Sequence, residues 1–468
     1  MDELILLLSS TVFAARPDNG GGLFSFDDAD VLSHVDGPEG LVRVHYSIDG
    51  PNVTRLDDDD KSGFPDFAEE VAATAEDVLD FYSALGFFAP LSESEMGLGE
   101  LGGSDALDFY LVDFGGSADG QFSVDSCGGG VCSGYMIIEN DFTGYGYGSL
   151  SEAIAVLTSH ELFHGVQYAY SDSQPVWLSE GTAVWAEHQY DPSVDDFYWF
   201  CGEYLEDPGR SIDSPPAGSV TSFSYGTALF FQFLTERLGA GVGPDLQDAL
   251  VGRDDTESVA AISDTLAAYG TDLETEWSVF ARWNLATGTR AGAAEGYPFA
   301  AEVRGIEAEA EGSAIVDDNR FYPLAATYFR LDHPGGELFF ATAEDPLGLI
   351  FSLHPVADGG SDGPVIDSVE TFSPQSAELR SLGEQDAGGY WLVGTHPIAA
   401  DQSVKIEFCL GLAEDVEGCV AEVEDTGGEG TTEPEGCGGC SGSGGGGALL
   451  AIFGLLGLTA RRTTARVG

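Results

Sequence analysis

Residues 158–167 of the chain read TSHELFHGVQ, and this stretch predicts a helix that carries a metal site. On such a helix His160 and His164 lie one turn apart, so both imidazoles leave the same face. Two nitrogen ligands on one face are what a tetrahedral zinc ion requires. Glu161 is offset from the pair and can lie over the open coordination position. There it would deprotonate a water molecule whose pKa the metal lowers.

A downstream acid completes the predicted ligand set. Residues 177–183 read WLSEGTA, so Glu180 follows two large apolar residues and precedes small ones, as a second helix crossing the first would require. A carboxylate there gives a site of two histidines and one glutamate, with water in fourth place. The alternative is that the histidines are polar residues on the solvated face of an amphipathic helix, and Glu180 favours the metal. Ser149 and Glu152 have capping-box spacing and predict where the helix begins.

Together the two strings resemble those of the gluzincin metallopeptidases, in which the zinc glutamate lies in a Trp-Leu-Asn-Glu-Gly-Phe-Ala-like string. The resemblance implies zinc as the cofactor, with three ligands and one general base. These are His160, His164 and Glu180 as ligands and Glu161 as the base. Glu187, seven residues past Glu180, matches an acid of the aminopeptidase branch and is expected to orient a ligand or to form a local salt bridge.

The chain departs from two branches of that family. Its interval from His164 to Glu180 is shorter than in the aminopeptidase or thermolysin branches, and Val184 stands where thermolysin has an acid that supports a ligand. The chain is most similar to myxobacterial secreted metalloproteases with a His-Glu-Phe-Phe-His-like helix. This resemblance implies a catalytic domain with an α+β, thermolysin-like fold.

Tyr225 is the candidate for a second catalytic group. Residues 224–234 predict a helix start with a heavily apolar face, and they resemble the gluzincin segment Tyr-x-Lys-Gly-x-Ala. By that resemblance the Tyr225 phenol would donate a hydrogen bond to the tetrahedral intermediate. The matching lysine is absent, so the alternative is a core tyrosine at a helix cap.

An acidic loop at residues 57–69 has the register of a calcium loop. Counting from Asp58, side-chain oxygens fall at positions 1, 3, 5, 9 and 12, with Gly63 at position 6. The candidate calcium ligands are Asp58, Asp60, Ser62, Asp66 and Glu69. Pro65 is unusual within such a loop, and a helix is predicted only after it, from Glu69 to Leu85, so this is no EF-hand pair. The alternative is a solvated acidic turn that caps the helix.

Apolar runs predict strands at residues 41–48, 107–114 and 135–138. Between the last two, Cys127 and Cys132 close a Gly-rich loop, and in an exported protein they are expected to form a disulfide. The strand at 135–138 precedes the metal helix, as does the gluzincin edge strand that pairs with the substrate backbone. Residues 134–140 only faintly echo the aminopeptidase Gly-x-Met-Glu-Asn string, so they do not predict an exopeptidase.

The composition excludes some partners. Of the 468 residues 80 are acidic and 17 basic, giving a net charge of −63 with Lys61 and Lys405 as the only lysines. Such a charge argues against nucleic acid or an anionic membrane surface as the partner. It is typical of proteins in salty, extracellular or calcium-rich surroundings, although a genomic composition bias would produce it as well.

Composition also divides the chain into segments. Residues 1–15 resemble a signal peptide but lack basic residues at the start, and 16–304 would form the catalytic domain. From 305 to 412 short β-rich runs alternate with turns, which predicts a small all-β, sandwich-like accessory domain. Residues 413–447 predict a disordered acidic Gly-rich linker. Cys409 and Cys419 are expected to form a disulfide, which leaves Cys201 as a buried thiol.

The C-terminal segment 448–468 is expected to sort or anchor the protein. An apolar run of 13 residues, Ala448 to Ala460, is short for a membrane span and is followed by Arg461 and Arg462. With Cys437 and Cys440 before it, the arrangement resembles the C-terminal sorting tail of myxobacterial surface proteins, which implies cleavage near the cysteines and attachment at the cell surface. A weak membrane anchor is the alternative.

The resulting hypothesis is an exported zinc endopeptidase acting on extracellular proteins or peptides. Two alternatives stay open. An aminopeptidase would need an acidic anchor for the substrate α-amine, and a surface adhesin on a peptidase scaffold would not need the intact motif around His160 and Glu161.

Overall fold

The computed structural model describes most of the chain between Arg16 and Ala421. The described residues are 16–20, 24–193, 196–217, 220–344, 346, 348–360, 362–375, 378–396 and 402–421. The predicted signal peptide at 1–15, the predicted sorting segment at 448–468 and residues 422–447 of the predicted linker lie outside the described residues.

Helices and strands both occur throughout the described part of the chain. The helices are α1 (Asp66–Leu85), α2 (Leu150–Tyr170), α3 (Val176–Tyr190), α4 (Asp196–Leu205), α5 (Ser222–Gly226), α6 (Ala228–Leu238), α7 (Val242–Leu250), α8 (Ser258–Ala268), α9 (Leu273–Leu285) and α10 (Ala413–Ala421). The strands are β1 (Leu32–Asp36), β2 (Val42–Ser47), β3 (Leu107–Val112), β4 (Gly120–Gly128), β5 (Val131–Glu139), β6 (Ala310–Gly312), β7 (Ile315–Phe321), β8 (Ala325–His333), β9 (Gly336–Thr342), β10 (Ile350–Pro355), β11 (Glu370–Phe372), β12 (Glu378–Gln385), β13 (Gly388–His396) and β14 (Val404–Gly411). This mixture confirms the predicted α+β class.

The described residues divide into two compact units. The first contains residues 16–197 and 237–265, and the second contains residues 198–236 and 266–421. This grouping differs from the predicted boundary after residue 304, because helix α9 packs on the β-rich segment. The Trp277 indole donates a hydrogen bond to the Ala325 carbonyl at 3.2 Å, and the Tyr328 hydroxyl donates to the Ala281 carbonyl at 3.0 Å.

A mixed five-stranded sheet, in the order β1-β2-β3-β5-β4, is the frame of the first unit. Strands β2, β3 and β5 are parallel, while β1 and β4 are antiparallel to their neighbours. Strand β5 is paired on both sides and β4 is the edge, so the expectation that residues 135–138 form the edge strand is wrong. Strand β4 was missed because Cys127 and Cys132, which face each other across the β4–β5 hairpin, were interpreted as ends of a Gly-rich loop.

Helices cover one face of this sheet, with α1 against β2 and α2 against β4 and β5. Helix α2 begins as predicted, because the Ser149 side chain accepts a hydrogen bond from the Glu152 backbone N–H at 3.1 Å. Helix α1 begins at Asp66, three residues before the predicted Glu69, and ends at Leu85 as predicted.

The described N-terminal residues 16–20 and 24–26 cover part of the opposite face. Phe26 packs in an apolar cluster with Tyr110 and Tyr135 of the sheet. Arg16 is fully buried and forms ion pairs with three carboxylates, those of Glu93, Asp108 and Asp125. Because each of these buried charges has an oppositely charged partner, the cluster fixes the segment on the sheet.

Two further sheets form the β-rich part of the second unit. Their orders are β11-β10-β13-β8-β6 and β12-β9-β14-β7, and both contribute to one apolar core. Phe329 and Phe351 come from the first of these sheets, and Phe340 and Phe408 from the second. A core shared by two sheets is what the predicted sandwich requires.

Residues 413–421 correct the predicted start of the linker. They form helix α10 instead of disordered chain, with Val416 buried against Ala341 and Cys409. The disulfide between Cys409 and Cys419 ties this helix to β14. Among the described residues, no helix combines the length and apolar character of a membrane span.

Candidate metal centre

Helices α2 and α3 bring the three predicted ligands together. The Nε2 atoms of His160 and His164 are 3.1 Å apart, and Oε2 of Glu180 lies 3.3 Å from the first and 3.7 Å from the second. All three side chains are at most 1% exposed. A solvated helix face would leave the histidines in water, so that alternative is wrong.

Each histidine is oriented through its other ring nitrogen. Nδ1 of His160 bonds to Oε1 of Glu187, as the prediction for Glu187 requires. Nδ1 of His164 bonds to Oε1 of Gln167 at 2.8 Å. Because each Nδ1–H then donates to an oxygen acceptor, both Nε2 atoms present lone pairs.

Gln167 also joins the two helices. Its side-chain amide donates to the Ser179 carbonyl at 2.7 Å and to the Thr182 hydroxyl at 2.8 Å. The Thr182 hydroxyl in turn donates to the Leu178 carbonyl at 2.8 Å. Gln167 therefore fixes the position of His164 on α2 relative to the start of α3. Sequence reasoning quoted this residue without giving it a role, although its spacing of three from His164 was a usable signal.

The donor set fits a cation. Two Nε2 lone pairs and a carboxylate oxygen converge, and neither Glu180 oxygen has a hydrogen-bond donor among the described residues. Three such acceptors repel one another unless a positive charge lies between them. Ligands about 2.0–2.2 Å from a tetrahedral zinc ion would lie ~3.3 Å apart, close to the three separations observed here.

Glu161 lies beside this cluster and against strand β4. A Cβ atom added at Gly120 would lie 2.7 Å from Oε1 of Glu161 and 2.5 Å from the Leu157 side chain, so a larger residue would displace these two side chains. Oε2 of Glu161 is buried without a hydrogen-bond partner among the described residues. Burial raises the pKa of Glu161 to about 8, the charges of Glu180 and Asp119 raise it as well, and His160 lowers it.

Two residues near Glu161 were missed by sequence reasoning. Asp119, just before β4, is 2% exposed and accepts a hydrogen bond from the Tyr147 hydroxyl at 2.7 Å. Burial raises the pKa of Asp119 to about 7, while the Tyr147 hydrogen bond and His160 lower it. The Gly-Tyr-Gly-Tyr-Gly run at 144–148 was a signal for this loop, but no sequence pattern pairs it with Asp119.

Tyr225 belongs to the second unit, at the end of helix α5. Its side chain is 5% exposed, and its ring centroid lies 4.9 Å from that of Phe200. These contacts are those of a core tyrosine, and its role as a hydrogen-bond donor to the substrate stays a prediction.

The acidic loop brings part of the predicted calcium set together. Carboxylate oxygens of Asp58, Asp60 and Asp66 lie within 4.8 Å of one another. The Ser62 hydroxyl instead donates to Oε2 of Glu69 at 2.9 Å. The loop also turns through a left-handed Lys61, with a φ of 65°, so its backbone is already bent around the carboxylates.

The predicted disulfides pair as expected. Cys127 is bonded to Cys132 and Cys409 to Cys419, while Cys201 is a buried free thiol.

Comparison with known proteins does not assign the chain to a family. No known protein-family model matches the chain, and no curated protein matches it either.

Proposed function

We propose that the protein is an exported zinc-dependent endopeptidase with a thermolysin-like catalytic domain. The observation that carries the proposal is the convergence of two histidine Nε2 atoms and one glutamate oxygen beside the buried Glu161, whose Oε2 has no hydrogen-bond partner among the described residues. Three protein ligands of these types leave one position open, which distinguishes a catalytic zinc site from a structural one.

In the proposed reaction the ligands would be His160, His164 and Glu180, and zinc would supply a lowered water pKa and a polarised carbonyl. Glu161 removes the proton from the attacking water and later delivers it to the leaving amine. Its Oε2 has no hydrogen-bond donor among the described residues, so this oxygen can take up the proton and release it. Glu187 and Gln167 keep the two imidazoles aligned throughout.

Strand β4 is the proposed binding strand for the substrate backbone. It is a sheet edge, it packs against α2, and its first residue, Gly120, lies against Glu161. An extended peptide added to this edge would place its carbonyl groups beside the base. This replaces strand β5, whose two edges are already occupied.

The proposal is tested by metal analysis of purified protein together with digestion of casein. We expect about one zinc ion per chain and internal cleavages in the peptide map, with Glu161→Gln as the inactive control. Stepwise loss of residues from free N-termini would indicate the aminopeptidase instead. A zinc-loaded protein without any cleavage would favour the adhesin.

Calcium at the acidic loop is a second proposal, carried by the grouping of Asp58, Asp60 and Asp66. A ligand that binds only the folded protein raises its melting temperature, so calcium at ~100 times its Kd would add roughly 5–10 °C. We therefore expect a calcium-selective chelator to remove that increment while zinc stays bound. Differential scanning calorimetry on the zinc-loaded protein measures both temperatures.

The matched variants for the calcium test are Asp60→Asn in the loop and Asp80→Asn, an exposed acid near the end of α1. Only Asp60→Asn should lose the calcium-dependent increment. If the parent protein had the same melting curve with and without calcium, the loop would be a solvated acidic turn and not a calcium site.

Export and surface attachment are proposed from the sequence of the two ends alone. The two cysteine pairs formed as disulfides suit an oxidising compartment. Intact-mass measurement on cell-envelope fractions should find a chain that lacks both hydrophobic ends. Full-length protein confined to the cytoplasm would exclude this proposal.

A further inference from the structure

The loop between β5 and α2 carries two tyrosines that each bind a buried acid. The Tyr145 hydroxyl lies 2.5 Å from the Ala118 carbonyl oxygen and 2.9 Å from Oε2 of Glu139, and it can donate to either. The Tyr147 hydroxyl donates to Oδ2 of Asp119 at 2.7 Å. The two acids are neighbours, because the Glu139 backbone N–H donates to the Asp119 carbonyl at 2.9 Å. The loop thus presents two acid–phenol pairs side by side.

The two pairs differ in their surroundings. The Glu139 carboxylate also accepts the Phe114 backbone N–H at 3.0 Å, so its bonds fix the loop to the sheet. Oδ1 of Asp119, in contrast, is buried and has no hydrogen-bond donor among the described residues. The same holds for Oε2 of Glu161.

Asp119 and Glu161 lie on either side of a close backbone contact. Gly120 follows Asp119 directly and approaches Glu161 so closely that a Cβ atom would displace the Glu161 side chain. The charge of Asp119 acts on Glu161, and Tyr147 in turn lies within electrostatic reach of Glu187. The pair therefore borders the metal centre on the side of the base.

We propose that Asp119, held by the Tyr147 hydroxyl, is a positioning residue that keeps the Glu161 carboxylate directed at the ligand cluster. This rests on the proposed peptidase function. The Tyr147 hydrogen bond to Oδ2 holds the Asp119 carboxylate in one orientation, so its other oxygen keeps a negative charge in a fixed position. Because two buried carboxylates repel each other, this charge disfavours the Glu161 orientations that point away from the ligands.

The kinetic test compares matched variants of the two pairs. We expect Asp119→Ala and Tyr147→Phe to lower kcat by ~10–100-fold, with KM within about threefold and the zinc content unchanged, as for groups that orient a metal site from outside. Asp119→Asn keeps an oxygen for Tyr147 but removes the negative charge, so it should lower kcat as far as Asp119→Ala does. The control Tyr145→Phe loses the same kind of hydrogen bond from the same loop and should keep parental kcat.

A purely structural role would give a different pattern. In that case Tyr145→Phe and Tyr147→Phe would lower kcat to the same extent, and Asp119→Asn, which keeps an acceptor for Tyr147, would retain most of the parental rate. Parental kcat in Asp119→Ala, in a parent protein that hydrolyses casein, would overturn the positioning role and leave the proposed function standing.

A second measurement needs no activity and uses the metal-free protein. Contacting residues have non-additive effects on stability, whereas distant ones add. The melting-temperature shift caused by Asp119→Asn should therefore differ by ~2 °C or more between the parent and the Glu161→Gln background, whereas the Tyr145→Phe shift should be equal in both. Additive shifts for Asp119→Asn would overturn the pairing with Glu161 even if the protein proved not to be a peptidase.

Discussion

Replacing Glu161 with glutamine will lower the peptidase kcat at least ~100-fold while the protein keeps its zinc. General base catalysis contributes rate factors of about this size, and glutamine has the same shape without a basic oxygen. Glu161 is buried beside the ligand cluster, and its Oε2 has no hydrogen-bond partner among the described residues, so glutamine can keep the remaining contacts of the side chain. Steady-state kinetics on a casein-derived peptide and metal analysis of both proteins measure the effect.

The matched control for this variant is Glu152→Gln in the first turn of the same helix, where the side chain is half-buried. It should keep the parental rate. If Glu161→Gln hydrolysed the peptide at nearly the parental rate, Glu161 would not be the general base, whatever metal the site holds.

The Glu180→Ala protein will purify without zinc and without activity, whereas Glu187→Ala will retain the metal and lose ~10–100-fold in turnover. Oε2 of Glu180 faces both Nε2 atoms, so its loss removes one of three ligands. Glu187 bonds to Nδ1 of His160 and not to the ligand atom Nε2, so its loss frees the ring without removing a donor atom from the metal. Metal content after dialysis against a weak chelator separates the two outcomes.

Glu187→Gln is the informative companion variant, since it keeps an oxygen acceptor for the His160 Nδ1–H and should lose less turnover than Glu187→Ala. Because both glutamates are buried, circular dichroism must first show that each variant folds. The reverse result, zinc lost from Glu187→Ala and kept by Glu180→Ala, would make Glu187 the ligand.

Much of the centre could be predicted because helical geometry is local. A spacing of four residues places His160 and His164 on one face, and a spacing of seven from Glu180 places Glu187 toward the same helix. The start of α2 was equally local, since Ser149 needs only the next turn to satisfy its cap. The first turns of α10 were missed because Val416 is buried by contacts with Ala341, far away in sequence.

The sequence by itself therefore determined the α+β class, helix α2 and the spacing of its candidate ligands, because these depend on backbone periodicity over a few turns. The tertiary structure alone decided that β4 is the sheet edge and that Gln167 holds His164 in register with α3. It also decided that Asp119 and Tyr147, 28 residues apart, meet beside Glu161. The physical reason is that strand order and contacts between buried carboxylates depend on packing between segments that are distant in sequence. Such packing produces no repeating residue pattern in either segment.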